Sequence, residues 1–83
     1  MVQISSVEKP FACESCPTQN ISSYGARLLT ERSWTPDSRL IVKSAHGTLW
    51  ARARVVYCQH LSHKAFAVGL EFLVRTGELV MLS

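Results

Sequence analysis

The sequence predicts an all-β protein, a small antiparallel barrel of five to six strands, with a short C-terminal helix as an optional addition. Two segments, 48–57 and 65–73, alternate in polarity with the period of two that is typical of half-buried strands. Turn-forming residues separate the apolar segments, and no long stretch has a helical period. Closing the sheet would remove the exposed strand edges that a small apolar chain tolerates poorly.

A hairpin is predicted between residues 39–44 and the strand that starts at residue 48. Leu40 and Val42 lie on one face of the first strand, and His46-Gly47 supplies the positive φ that a tight turn needs. The two strands should therefore pair antiparallel. The second strand has an expected inward set, Leu49, Ala51, Ala53, Val55 and Tyr57, and an expected outward set, Trp50, Arg52, Arg54 and Val56.

The core is predicted to form where segment 65–73 faces this strand. Both segments have one face that is more apolar than the other, and the two apolar faces have the same period. The expected shared core consists of Phe66, Val68, Leu70 and Phe72 together with Ala51, Ala53 and Val55.

Three further elements have weaker signals. Residues 26–31 form a short strand candidate, and residues 11–19 suit an edge strand whose ladder is interrupted at Pro17. Residues 75–82 resemble the start of a helix, because Thr76 can cap its first turn. A helix this short needs packing against the sheet to be stable.

Length and composition predict one small domain, residues 1–83, that works in the cytoplasm. A chain that is 47% hydrophobic and 18% charged is too apolar for a disordered tail, and it has no apolar run long enough to span a bilayer. The first residues lack the pattern of a signal peptide, and three cysteines do not suit a disulfide scaffold. The net charge of +3 permits anionic partners without indicating a polyanion-binding surface.

Three separated landmarks resemble those of PilZ domains. Asn20, Ser22 and Gly25 match the D/N-x-S-x-x-G signature of that family. Residues 54–57 match its Val-Val-aromatic strand, and residues 68–72 match its closing Val-Gly-hydrophobic-x-Phe strand. The resemblance is strongest over residues 11–73.

The resemblance implies a six-stranded antiparallel barrel, usually followed by a helix, and a role as a bacterial receptor for cyclic di-GMP. In that family the D/N-x-S-x-x-G turn contacts a guanine base, so Asn20 and Ser22 would offer hydrogen bonds and Gly25 would allow close backbone approach. A second family element, R-x-x-x-R, binds phosphate and guanine ahead of the barrel. Residues 1–19 contain no arginine, and their sole cation is Lys9.

The resemblance therefore implies a non-enzymatic signalling module, with cyclic di-GMP binding weak or lost and with action through contacts to an unidentified protein partner. The motifs of hydrolases and phosphate-cradling loops are missing from the sequence, which also argues against enzymatic activity. No cofactor is expected. The Asn, Ser and Gly set alone would equally suit an ordinary turn.

A zinc site is the first alternative that the sequence raises. Cys13 and Cys16 form a C-x-x-C, and Cys58, His60 and His63 could complete a tetrahedral set. On a strand, however, residues three positions apart point to opposite faces. We therefore expect no metal site, a packing role for Cys58, and both histidines in a loop.

An oligonucleotide-binding barrel is the second alternative. Outward cations combined with an aromatic residue are typical of proteins that bind single strands. A recognisable motif is missing, so a nucleic-acid partner is the less favoured prediction. The residues concerned are Arg27, Arg39, Lys43, Arg52, Arg54 and Trp50.

Overall fold

Seven antiparallel strands form one sheet in the computed structural model, which describes residues 1–9, 12–44 and 50–75, with side chains up to Leu73. The strands are β1 (Val2–Ser6), β2 (Cys13–Cys16), β3 (Thr18–Ile21), β4 (Gly25–Thr30), β5 (Arg39–Ser44), β6 (Trp50–Ser62) and β7 (Ala65–Arg75). Their order across the sheet is β2-β1-β5-β6-β7-β4-β3. The described residues contain no helix, and the predicted all-β antiparallel class is confirmed.

The two ends of the sheet are joined by one bent stretch of chain. β2 pairs with β1 at one end, and β3 pairs with β4 at the other, although only Pro17 separates β2 from β3. Proline has no N–H to donate to a ladder, which favours a break there. The Pro17 carbonyl instead accepts a hydrogen bond from the N–H of Leu29 (3.1 Å). The sheet therefore curls round in the manner of a barrel.

A second contact ties β2 to the chain that follows β4. The carboxylate of Glu14 accepts hydrogen bonds from the backbone N–H of Glu31 (2.6 Å) and from Nε1 of Trp34 (3.4 Å). Trp34 is buried against the core, so its indole N–H needs a partner there. Glu14 thus helps to close the curled sheet.

The core lies inside the curled sheet and draws one or more residues from six strands. Its largest fully buried side chains are Ile4, Cys16, Leu28, Leu40, Val55 and Val68. The predicted inward residues Ala51, Ala53 and Leu70 are also buried, and Phe66 and Phe72 are partly buried against the same cluster. The predicted contact between the two alternating segments is therefore confirmed.

Tyr57 does not face inward as predicted. The ladder pairs Val55 with Leu70 but Tyr57 with Gly69, so Val56 is an extra residue on β6. Such a bulge reverses the alternation beyond it. Tyr57 accordingly lies on the outer surface, 38% exposed.

Other sequence predictions need correction or lie outside the described residues. There are seven strands, because β1 was missed and the predicted strand 11–19 is two strands separated at Pro17. β6 extends to Ser62, so His60 belongs to a strand and stacks on Phe66, with ring centroids 5.0 Å apart. The predicted helix 75–82 does not begin at Arg75, which is the last residue of β7. Its residues 76–82 lie outside the described residues, as do the predicted turn at His46-Gly47 and the predicted inward residue Leu49.

Candidate ligand-binding hairpin

The three residues of the first landmark lie on the hairpin that joins β3 to β4. Asn20 is an exposed residue of β3, and Gly25 is the first residue of β4. Between them, the N–H of Ser22 donates to the carbonyl of Gly25 (2.9 Å), and its hydroxyl accepts from the N–H of Tyr24 (3.2 Å). Ser22 is therefore engaged in shaping the turn.

Gly25 is required by the close approach of the hairpin to β7. A Cβ atom at this position would overlap the carbonyl oxygen of Leu70. The neighbouring carbonyl of Tyr24 accepts a hydrogen bond from the N–H of Phe72 (2.8 Å), which holds the two segments together. The close backbone approach at Gly25 is thus made to the chain's own strand.

Arg27 is held on the surface beside the hairpin by two neutral partners. Its Nε donates to Oε1 of Gln19 (2.8 Å), and its Nη1 donates to the hydroxyl of Tyr57 (2.8 Å). The guanidinium carbon lies 5.8 Å from the centroid of the Tyr57 ring, within the range of a cation–π contact. Gln19 lies where the β3–β4 register shifts, between Thr18 and Asn20.

The Tyr57 ring is positioned in turn by Gly69. Any Cβ at Gly69 would overlap the ring, so only glycine lets the tyrosine ring lie this close to β7. The three sequence landmarks therefore meet at one place. The hairpin contacts β7 through Gly25, β6 contacts β7 through Tyr57 and Gly69, and Arg27 joins the hairpin to β6.

A shallow groove of about 440 Å³ lies over this meeting point. Tyr24 forms an exposed wall, with 81% of its surface accessible. The groove is lined by Asn20, Ser22, Tyr24, Gly25, Ala26, Arg27, Tyr57, Leu70 and Glu71. The structure thus brings all three predicted site residues to one groove, and adds Tyr24, Arg27 and Tyr57 to them.

Two charged residues line the groove, Arg27 and Glu71, and they do not pair with each other. Glu71 is ion-paired with Arg54 (3.2 Å), which also binds Asp37 (2.7 Å) in the segment before β5. Hydrogen bonds to Asp37 and Glu71 raise the pKa of the Arg54 guanidinium. Arg27 is the one cation among the described lining residues, and two of its nitrogens are already engaged.

The three cysteines differ in their exposure. Cys13 is exposed, whereas Cys16 is buried, and burial raises the pKa of the Cys16 thiol to about 11. Cys58 packs against the core, and its sulfur accepts a hydrogen bond from the N–H of Trp34 (3.4 Å). Within residues 1–9, 12–44 and 50–73, no group of three or more His, Cys, Asp or Glu side chains is placed to hold a metal ion.

The comparison with known protein families agrees with the geometry. The family model described as "PilZ domain" matches residues 2–80, nearly the whole chain. No curated protein and no solved structure matches the chain. In the part of the chain that the structure describes, no helix is long and apolar enough to cross a membrane. The match and the three converging landmarks lead to the same conclusion, that this chain belongs to the PilZ domain family.

Proposed function

We propose that residues 1–83 form a single non-enzymatic signalling domain of the bacterial cytoplasm, in which cyclic di-GMP binding is weak or lost and action depends on contacts with a protein partner. The family is one of cyclic di-GMP-binding modules. The observation that carries the proposal is that Arg27 is the one cation among the described residues that line the groove.

Arginine matters here because the ligand is a dianion with two guanine bases. A guanidinium can bind phosphate with two parallel hydrogen bonds or stack on a base, and lysine cannot reproduce both geometries. Arg27 is the nearest substitute within the groove. Its Nε and Nη1 atoms already donate to Gln19 and Tyr57, so binding a phosphate through them would first require those hydrogen bonds to break.

Asn20, Ser22 and Gly25 are the proposed remnant of the ligand site. Asn20 is exposed and carries both a donor and an acceptor that suit a base edge. The contacts of Ser22 and Gly25 within the hairpin also support a purely structural role for these two residues. We therefore assign any residual base recognition mainly to Asn20.

An oligonucleotide-binding barrel is the alternative to this proposal. It would use outward cations of β4, β5 and β6 together with the partly exposed Trp50, which pairs across the strands with Lys43. Two of the cations that it requires, Arg27 and Arg54, are engaged within the chain. This weakens the case for a continuous basic surface.

Parallel titrations distinguish these functions. Cyclic di-GMP and a short oligothymidylate are each added to the 83-residue protein at low and at physiological salt, and binding is followed by fluorescence anisotropy. We expect little binding of either at physiological salt, and cyclic di-GMP to be recovered intact after incubation. Tight oligothymidylate binding with a steep salt dependence would favour the alternative, because phosphate contacts release counterions. Hydrolysis of cyclic di-GMP would contradict the non-enzymatic assignment.

A further inference from the structure

Three arginines on the outer face of β5 and β6 differ in their ion pairing. Arg54 is bound by Asp37 and Glu71. Arg39 and Arg52 are exposed, and neither forms an ion pair with the side chains of residues 1–9, 12–44 and 50–73. Within those ranges, no carboxylate competes with an anionic partner for these two guanidinium groups.

An apolar pocket of about 260 Å³ lies between Arg39 and Arg52, which form part of its lining. The other lining residues are Val7, Leu40, Ala53 and Leu73. We call these six residues the arginine-flanked pocket. It lies outside the groove at the β3–β4 hairpin, because the two sites share no lining residue.

A bulge in the sheet explains the exposed wall of this pocket. The ladder pairs Ala53 with Phe72 and Arg52 with Val74, so Leu73 is left without a partner in β6. Leu73 remains 43% exposed, and Val7, just beyond β1, is 41% exposed. Two apolar side chains thus lie at the surface beside Arg39 and Arg52, which form no ion pair within the described part of the chain.

We propose that the arginine-flanked pocket binds an acidic segment of a partner protein, with one apolar side chain in the pocket and neighbouring carboxylates on Arg39 and Arg52. Charge complementarity selects the acidic residues, and the planar guanidinium fork suits carboxylate in particular. The pocket is smaller than the usual range for small-molecule sites, which fits a single side chain. The inference builds on the protein-contact part of the proposed function.

A peptide suits this pocket better than a nucleic acid does. Single-strand binders stack successive bases on aromatic side chains along a positively charged groove. None of the six residues of the arginine-flanked pocket is aromatic, and its apolar walls are aliphatic. Arginine is instead enriched at the anchoring points of protein interfaces.

The test uses the full 83-residue protein and a labelled peptide, Glu-Asp-Leu-Phe-Asp-Glu with blocked ends. Its controls are a peptide with serines in place of Leu-Phe and a peptide with lysines in place of the acids. We expect only the first peptide to bind at physiological salt, with amide shifts in NMR spectra centred on Leu40, Ala53 and Leu73. The Arg39→Gln/Arg52→Gln double variant should lower the affinity about tenfold.

A matched variant separates specific contacts from net charge. Arg32→Gln/Lys64→Gln removes the same charge from two exposed residues that lie outside the pocket, and it should change affinity by less than about twofold. Leu73→Ser should weaken binding of the Leu-Phe peptide while leaving the charges in place. Thermal unfolding of each variant verifies that it folds.

Several outcomes would overturn the proposal. These are equal losses in the two double variants, equal binding of the serine peptide, preference for oligothymidylate, or NMR contacts from residues 76–83 into the pocket of the free protein. Failure here is distinct from failure of the proposed function. Cyclic di-GMP binding is measured separately at the β3–β4 hairpin, where neither Arg39 nor Arg52 lies.

Discussion

The ring of Tyr57 lies directly over Gly69, so closely that no other residue fits beneath it. This contact sets the position of the tyrosine hydroxyl, which accepts a hydrogen bond from Nη1 of Arg27 (2.8 Å). A glycine on β7 thereby controls the orientation of a cation beside the β3–β4 hairpin. The glycine of the third landmark is thus explained by its contact with Tyr57 of the same chain, without any ligand.

Replacing Gly69 by alanine should destabilise the protein by about 1 to 3 kcal/mol, because the new methyl group displaces the Tyr57 ring. The cost should nearly disappear in a Tyr57→Ala background, since the clashing atoms belong to that side chain. A double-mutant cycle in urea measures this coupling. If the changes in the free energy of unfolding for the two substitutions were additive, the ring would not lie over the glycine.

Gly25→Ala should cost more than Gly69→Ala, and we expect more than about 3 kcal/mol or failure to fold. Its methyl group meets the backbone carbonyl of Leu70, which cannot move aside as a side chain can. The β4–β7 pairing would have to open instead. A folded Gly25→Ala protein with unchanged urea midpoint would contradict the described contact between the hairpin and β7.

Leu28→Ala tests the core, because Leu28 is fully buried in β4. Truncating a buried leucine usually costs about 2 to 5 kcal/mol, a large share of the stability of a small domain. Ile21→Ala is the matched control, since Ile21 is 47% exposed and its loss should cost about 0.5 kcal/mol or less. Thermal and urea unfolding measure both. If Leu28→Ala and Ile21→Ala lost similar amounts of stability, Leu28 would not be a core residue.

Cys16 should make the protein less stable in alkaline solution. Burial, reinforced by the charge of Glu14, raises the pKa of its thiol from 9.0 to about 11. The unfolded chain therefore ionises first as the pH rises, and this stability contribution is present below about pH 9 and lost between about pH 9 and 11. Urea unfolding of the wild type and Cys16→Ala should show a steeper decline over that range in the wild type.

The rate of thiol alkylation tests the burial of Cys16 independently. The buried Cys16 should react much more slowly than the exposed Cys13, because the thiolate is the reactive form. Mass spectrometry of partly alkylated protein assigns the order. Two results together would show that Cys16 is not buried. The stability of the wild type and of Cys16→Ala would fall equally with rising pH, and Cys13 and Cys16 would be alkylated at equal rates.

Much of this fold could be predicted from local pattern, and the exceptions have physical causes. Val68 and Leu70 were predicted to face the core because the alternation around them is regular. The same rule failed at Tyr57, because the bulge at Val56 arises from pairing with β7 and leaves no mark in the local sequence. Strand β1 was missed because only Val2 and Ile4 mark its buried face.

The candidate groove could be predicted in part. Asn20, Ser22 and Gly25 were found because they are close in sequence and match a family signature. The addition of Tyr57 was not predicted, since it lies 30 residues from Arg27 and was assigned to the inner face. Long-range contacts of this kind depend on register, which alternation alone does not determine.

Isothermal titration of cyclic di-GMP into the 83-residue protein tests the central claim most directly. Charge-assisted hydrogen bonds contribute about 1.5 to 3 kcal/mol each. Because residues 1–19 contain no arginine, these 83 residues should bind about two to four decades more weakly than a domain with both arginines of the R-x-x-x-R element. We therefore expect weak or undetectable heat at moderate salt. Any weak binding should be lost in Asn20→Ala and kept in Arg27→Gln, because the Arg27 guanidinium already donates to Gln19 and Tyr57. Submicromolar affinity would contradict the account, and its loss in Arg27→Gln would show that this arginine has taken over the phosphates.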